Sequence, residues 1–394
     1  MRHLAVIDGV AALLATVLVA TAVTQAAPTR VAPAGLPLAP AWTHEFTGTA
    51  PVSAAVSDGG WLVAGFLERL DIFSIRTGES AGSLPLPAAR LACNATLCIA
   101  GDDGSVRAID VSRKTVRWQK LSPGALAFAP VLRAGWVFLT TTDGRVVAVR
   151  EADGEAQWTY AATAPLTGPP SVDGDRIAVA TADSAVSLLD LRTGRALWTA
   201  PLVTGRPGAP RLGGGIVYVG TESRDLQILR AADGRVLPPQ RTGATVVGAP
   251  ALDEKRVYTV GQDGVLRAFD RGTGALRWYA DLPTRPANAG PTADQGLIFV
   301  ALRSGAFQVF LADGDGKRPA AVIKAPGLGD SPVLLQLAPI VAGTGPSTTL
   351  VTITVNVGDD SKWSASVTAL APVLPVTPQP AVVPGFSITL TAIR

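Results

Sequence analysis

The sequence predicts an all-β chain of repeated four-stranded antiparallel units, and three observations carry that expectation. Gly154, Gly194, Gly234, Gly274 and Gly314 stand 40 residues apart. Trp118, Trp158, Trp198 and Trp278 keep the same step, with Pro238 where a further Trp would fall. Between these markers, runs of four to six apolar residues alternate with Asp, Gly and Ser clusters, the pattern of short strands and tight turns. A constant step of this size means one small unit copied along the chain. Each copy cannot bury its own faces and must be covered by its neighbours.

Residues 170–200 show one copy in full. Pro170-Ser171-Val172 opens a short strand, and Asp173-Gly174-Asp175 turns. Residues 177–181 form an apolar second strand, 185–190 a third and 195–200 a fourth that carries Trp198. The middle turn recurs as Asp103-Gly104, Asp143-Gly144, Asp183-Ser184, Ser223-Arg224 and Asp263-Gly264, with Ser304-Gly305 one residue late. Asp-Gly suits a two-residue hairpin in which both central residues take positive φ. Pro130, Pro170, Pro210, Pro250, Pro291 and Pro332 precede the first strands, where a missing N–H costs least.

Four short antiparallel strands in about 40 residues, repeated, describe the blade of a β-propeller. Third strands fall at 71–75, 106–110, 146–150, 186–190, 226–230, 266–270, 307–311 and 365–370, which predicts eight blades. Seven is the alternative if residues 332–394 form an irregular cap. The segment 41–46 with Trp42 reads as a fourth strand with no blade before it. It is expected to complete the last blade and so remove the open edges of a partial ring. Residues 386–393 form a further strand that competes for that position. Trp42, Trp118, Trp158, Trp198 and Trp278 are expected to pack blade against blade, since a Trp buries about 150–250 Å².

The ends read differently. Arg2 and His3 precede an apolar run over 10–23, and Thr24-Gln25-Ala26 offers a small-residue cleavage site. Residues 1–26 therefore read as an export signal, with an uncleaved membrane anchor as the alternative; a span needs roughly 20 apolar residues. Residues 27–40 are a Pro/Ala-rich linker, and 41–394 the propeller. Cys93 and Cys98 flank the turn Asn94-Ala95-Thr96. In an exported protein they suggest a structural disulfide across one hairpin, with two buried thiols as the other reading. At 47% hydrophobic and 16% charged, the chain has ample material for a packed fold. Its +3 charge comes without a basic run, so no nucleic-acid surface is expected.

The unit Asp-x-x-Thr/Asp-Gly-x-x-x-Trp resembles the repeat of the pyrroloquinoline-quinone-like propellers, over about residues 41–372. The resemblance implies one of two branches. The first is the eight-bladed assembly factor of the outer-membrane Bam complex, BamB, a non-enzymatic scaffold. The second is the dehydrogenases that use the quinone with calcium. That branch carries adjacent cysteines, and Cys93 and Cys98 are not adjacent. The scaffold branch is normally lipidated, whereas no Cys lies near the cleavage region here.

Other chemistry finds little material. His44 is the one histidine outside the signal, too few for a zinc site or a secure catalytic triad. Asp313-Gly314-Asp315-Gly316 and Gly101-Asp102-Asp103-Gly104 resemble pieces of calcium loops but fall on the repeat's own turns. Gly213-Gly214-Gly215 precedes a strand rather than the helix a phosphate cradle needs. The expected function is non-catalytic protein binding at the cell envelope, periplasmic or extracellular, with no cofactor. The alternatives are a quinone- and calcium-dependent oxidoreductase and an extracytoplasmic ligand sensor. Contact with envelope partners is expected at Gly205-Arg206-Pro207-Gly208 and at 343–349, where the loops depart from the repeat.

Overall fold

The computed structural model describes residues 53–57, 60–74, 77–102, 104–202, 205–286, 290–294, 296–303, 306–324, 340–342, 349–357, 363–370 and 386–392. The last four stretches are described by their backbone. The signal 1–26, the linker 27–40, the segment 41–46 with Trp42 and His44, Pro332 and the stretch 343–348 lie outside the described residues.

The chain forms four-stranded antiparallel sheets one after another, as a β-propeller does. The first holds β1 (Ser53–Ser57), β2 (Trp61–Gly65), β3 (Leu70–Ser74) and β4 (Ser80–Leu84). The second holds β5 (Arg90–Cys93), β6 (Leu97–Gly101), β7 (Ser105–Asp110) and β8 (Thr115–Leu121). The third holds β9 (Val131–Arg133), β10 (Trp136–Thr140), β11 (Arg145–Arg150) and β12 (Ala156–Ala161). The fourth holds β13 (Ser171–Asp173), β14 (Arg176–Thr181), β15 (Ala185–Asp190) and β16 (Ala196–Pro201). The fifth holds β17 (Pro207–Gly213), β18 (Ile216–Thr221), β19 (Asp225–Arg230) and β20 (Val236–Arg241). The sixth holds β21 (Ala251–Leu252), β22 (Arg256–Val260), β23 (Val265–Asp270) and β24 (Leu276–Asp281). The seventh holds β25 (Thr292–Asp294), β26 (Leu297–Ala301), β27 (Ala306–Leu311) and β28 (Ala321–Lys324). The last holds β29 (Ile340–Ala342), β30 (Thr349–Val357), β31 (Trp363–Leu370) and β32 (Phe386–Ala392). Residues 340–392 therefore contain a paired sheet rather than an irregular cap, and β32 holds the outer place beside β31.

The core lies between sheets. The middle strands are buried on both faces, as the unbroken burial along β14 and β15 shows. Phe138, Val146 and Ala148 of the third sheet pack on Ile177, Val179 and Leu189 of the fourth. Ala178, Ala180 and Leu188 of the fourth pack on Val217, Val219 and Leu229 of the fifth. The outer strands alternate exposed and half-buried residues because only one face finds a neighbour.

The fourth-strand tryptophans join sheet to sheet by one repeated contact. Nε1–H of Trp118, Trp158 and Trp198 donates to the carbonyls of Glu151, Leu191 and Ala231, at 2.8, 2.9 and 2.9 Å. Trp278 donates likewise to Ala312 at 3.1 Å. Each indole lies over a glycine of the next sheet's last turn. At Gly194, φ is +67° and a Cβ would meet the Trp158 ring at 2.3 Å, so both conformation and space require glycine. A bulge follows each residue paired with these tryptophans, as at Leu188/Leu189, and re-aims the strand.

Three details differ from the expectation. The middle turns are not two-residue hairpins with two positive φ angles. Gly144 N–H bonds to the Thr141 carbonyl and Thr141 N–H to the Arg145 carbonyl, closing a three-residue loop. Only its last residue is left-handed, as at Gly144, Ser184, Arg224 and Gly264. That bulged form also matches the twist of the strands. The pair of positive φ angles occurs instead in the first hairpins, at Ala134-Gly135 and Gly214-Gly215. In the seventh sheet the glycine beneath Trp278 is Gly316, with φ +73°, rather than Gly314, because the turn after β27 is longer. Gln240, not Pro238, occupies the missing tryptophan's place; its amide faces Gly274 while Pro238 is exposed.

Trp198→Ala is expected to lose roughly 3–5 kcal/mol of stability, read from urea unfolding. Gly194→Ala should also destabilise, through backbone strain and collision with Trp158. Wild-type stability in both variants would remove the indole from its role as the joint.

Candidate functional site

The first strands are short, two or three residues in β9, β13, β21 and β25, and β17 is the longest of them with seven. Pro130, Pro170, Pro250 and Pro291 stand just before these strands, whereas Pro207 and Pro210 lie within β17 on either side of a register shift. The stretch 205–208 is thus drawn partly into β17, with Arg206 left exposed. Gly205 sits against Ser223, and Arg206 accepts the N–H of Glu222. Small residues let the strand entries approach closely. Thr167 Oγ1 donates to the Gly208 carbonyl at 3.0 Å, and a Cβ on Gly168 would meet Ala209 at 2.3 Å.

These first strands border a hollow of about 270 Å³, with Pro169, Pro170, Ala209 and Pro210 in its wall and Arg133 and Arg211 beside them. Prolines make that wall stiff. Arg211 is reached by water, yet the surrounding walls desolvate its guanidinium and pull it below its ordinary value. Asp173 opposes that shift and Arg133 adds to it by repulsion. No ion pair joins Arg211 to Asp173 among the described residues. The hollow therefore has two cations in its wall, with the Asp173 carboxylate close enough to act on Arg211, a balance that favours an anionic guest. Of the residues that follow the repeat prolines, Val131, Ser171, Arg211, Ala251 and Thr292, Arg211 alone is charged, a signal present in the sequence.

The turns between third and fourth strands are satisfied internally. Asp190 Oδ1 accepts the N–H groups of Arg192 and Thr193 and the Thr193 hydroxyl, and Asp270 does the same for Gly272 and Thr273. Arg150 pairs with Asp153 and Arg230 with Asp233, so alternate sheets reverse the charges within the same turn. Asp110 is the most enclosed of these carboxylates, its side chain 5% exposed. The Arg113 N–H, then the Ser112 hydroxyl, outweigh burial and hold it at about 2. The calcium-like pieces are also turns: Asp102 Oδ1 accepts N–H from Gly104 and Ser105, and Asp315 accepts that of Lys317.

Cys93 and Cys98 are directly opposite in β5 and β6, with Cα atoms 4.0 Å apart, and form a disulfide. The enclosed turn is tied on both sides. Ser57 Oγ donates to the Asn94 carbonyl at 2.7 Å, and Asn94 Nδ2 donates to Glu151 at 2.6 Å.

The sequence profile of the family described as outer membrane protein assembly factor BamB matches residues 102–207 and 182–344, more than half of the 394-residue chain. The chain belongs to the BamB family. BamB from Moraxella catarrhalis superposes with a TM-score of 0.60 at 15% identity, covering 85% of this chain and 99% of that one. The computationally designed Ika8 protein gives 0.63 at 14% identity, covering 84% and 96%. Saccharomyces cerevisiae Sqt1 gives 0.65 at 14%, covering 85% and 100%. These likenesses show the propeller fold. No curated protein matches the sequence. Within the BamB-family array, Trp118, Trp158, Trp198 and Trp278 sit at sheet joints, the two cysteines pin a hairpin, and Arg133 and Arg211 flank the hollow.

Two outcomes are expected. Replacing Cys93 and Cys98 by Ser should cost about 2 kcal/mol, the value for so short a loop, measured against wild type without reductant. Asp110 has a folded-state value below its unfolded 3.8, so its contribution is complete above that value and fades as pH falls through about 2. Asp110→Asn should therefore be less stable at pH 7, and its deficit should shrink toward pH 2.

Proposed function

We propose that this chain is a non-catalytic scaffold that holds a partner polypeptide at the cell envelope, as its family's name describes for outer membrane assembly. The observation that carries the reading is the stiff hollow with Arg133 and Arg211 against Asp173, suited to an acidic side chain or terminal carboxylate of a partner. No quinone or calcium takes part in this reading. Calcium takes six to eight oxygen ligands, whereas the charged groups in the hollow's wall are the two arginines. Among the described residues, no three His, Cys, Asp or Glu side chains gather as a metal site would need.

In the same proposal the eight sheets close as one ring. The first strands β1 and β29 adjoin. Trp118 precedes Gly154, Trp158 precedes Gly194 and Trp198 precedes Gly234 by the interval that separates Trp42 from Gly78, whose φ is +73°. That interval is the reason to expect Trp42, which lies outside the described residues, to serve the first sheet's turn as these tryptophans serve theirs. Residues 1–26 direct export, and residues 27–40 space the ring from the membrane side.

Crosslinking in the native host should recover an envelope protein with wild type. Arg211→Glu should reduce recovery at least tenfold without lowering the melting temperature. Equal recovery would refute the hollow as the contact. Dye-linked oxidation of alcohols or sugars after loading with the quinone and calcium would overturn the non-catalytic reading. Trp42→Ala should destabilise about as much as Trp198→Ala, and an unchanged melting temperature would refute the closure.

A further inference from the structure

Three side-chain donors border the hollow, one from each of three sheets: Arg133 of β9, Ser171 of β13 and Arg211 of β17. Ser171 Oγ accepts the Leu212 N–H at 2.9 Å, which ties β13 to β17. Its own hydrogen meets no acceptor among the described residues. Neither guanidinium is joined to a carboxylate or carbonyl among the described residues. The hollow thus gathers donors that the fold does not use.

Charge and wall chemistry narrow the guest. Arg133 and Arg211 against the nearby Asp173 leave one positive charge in excess, which a single carboxylate neutralises. The rest of the wall is apolar. Val131, Leu132 and Val172 are half-buried beside Pro169, Pro170 and Pro210. The prolines contribute no N–H. β9 and β13 are three residues long, and β17 carries Pro207 and Pro210, so these first strands give a partner strand little ladder to extend. An acidic side chain within a partner would bring peptide groups on both sides of it. Those N–H and C=O groups would lose water against a wall poor in partners for them. A chain end brings one such flank only. Its carboxylate suits the paired donors of a guanidinium, and its last side chain finds apolar cover.

We propose that the hollow receives the C-terminus of a partner polypeptide whose last residue is apolar. The terminal carboxylate accepts from Arg133, Arg211 and the Ser171 hydroxyl, and the last side chain lies against Val131, Val172 and the prolines. This rests on the scaffold reading and deepens it, naming a chain end as the acidic group and fixing the chemistry of its last residue.

The test uses the full chain and the peptide Gly-Ser-Gly-Ser-Gly-Ala-Leu, labelled with fluorescein at its amino end, carrying a free carboxylate and read by anisotropy. Saturable binding is expected, at least tenfold weaker for the same peptide ending in an amide. Replacing the last Leu by Ser should weaken it about tenfold, the loss for one buried aliphatic side chain. An amide-capped peptide with an internal Glu should bind no better than the plain amide. Arg133→Gln and Arg211→Gln should each weaken the free acid at least tenfold and melt as wild type does, since both side chains are exposed. No binding of the free acid, equal affinity for acid and amide, or binding indifferent to both arginines would overturn the chain end as guest. If Arg211→Glu loses the crosslinked partner while acid and amide bind alike, the hollow stands as the contact and the chain end alone falls. If the free acid binds through Arg211 while partner recovery ignores Arg211→Glu, the chain end stands and the envelope contact falls.

Discussion

The contact of an indole with the left-handed turn of the next sheet is the constraint on which the structure depends. A fourth strand has one hydrogen-bonded neighbour, and its free edge faces solvent. Tryptophan ties that strand sideways, by ring area and by an N–H donated to a carbonyl 33 residues onward in Trp118, Trp158 and Trp198. The bulge beside each Trp swings the side chain off the sheet's plane toward its neighbour. The same irregularity persists beside Ile72 and Leu226, in sheets without a fourth-strand Trp. The backbone unit is therefore kept while the side chain at the joint varies, as indole, as the Gln240 amide, or as Gly82 answered by Lys114.

Because the joints and inter-sheet cores carry the stability, the inner and turn positions are free to hold charge. Asp110, Asp190 and Asp270 spend their acceptor capacity on their own turns, and Arg150 and Arg230 pair with Asp153 and Asp233 nearby. Arg211 contrasts with them, standing in a proline-framed hollow with no ion-pair partner among the described residues.

Much of this was legible in the residues. Third-strand positions read from the apolar runs agree with β7, β11, β15, β19 and β23 to within one residue. Turn chemistry was read less well. Asp-Gly pointed to two-residue hairpins, but the chain uses a three-residue loop there and puts the double left-handed pair at Ala134-Gly135. Asp-Gly is compatible with either loop, and strand twist decides between them. Gly314 kept the 40-residue step and still lost its place to Gly316, because the indole selects the glycine that reaches it in space. The hollow was not found by motif, since it shows itself as one residue departing from a column of equivalents, Arg211 after the prolines.

Periodicity by itself determined the all-β class, the length of the unit, the order of strands within it and the tryptophans at its edge. Those properties are local, set by alternating burial and by what each turn tolerates. Tertiary structure alone decided which glycine, carbonyl or amide meets each indole, that β32 takes the outer place of the last sheet, and that Arg133 and Arg211 share one hollow. Such pairings join residues tens of positions apart, and only the stacking of one sheet on the next brings them within contact distance.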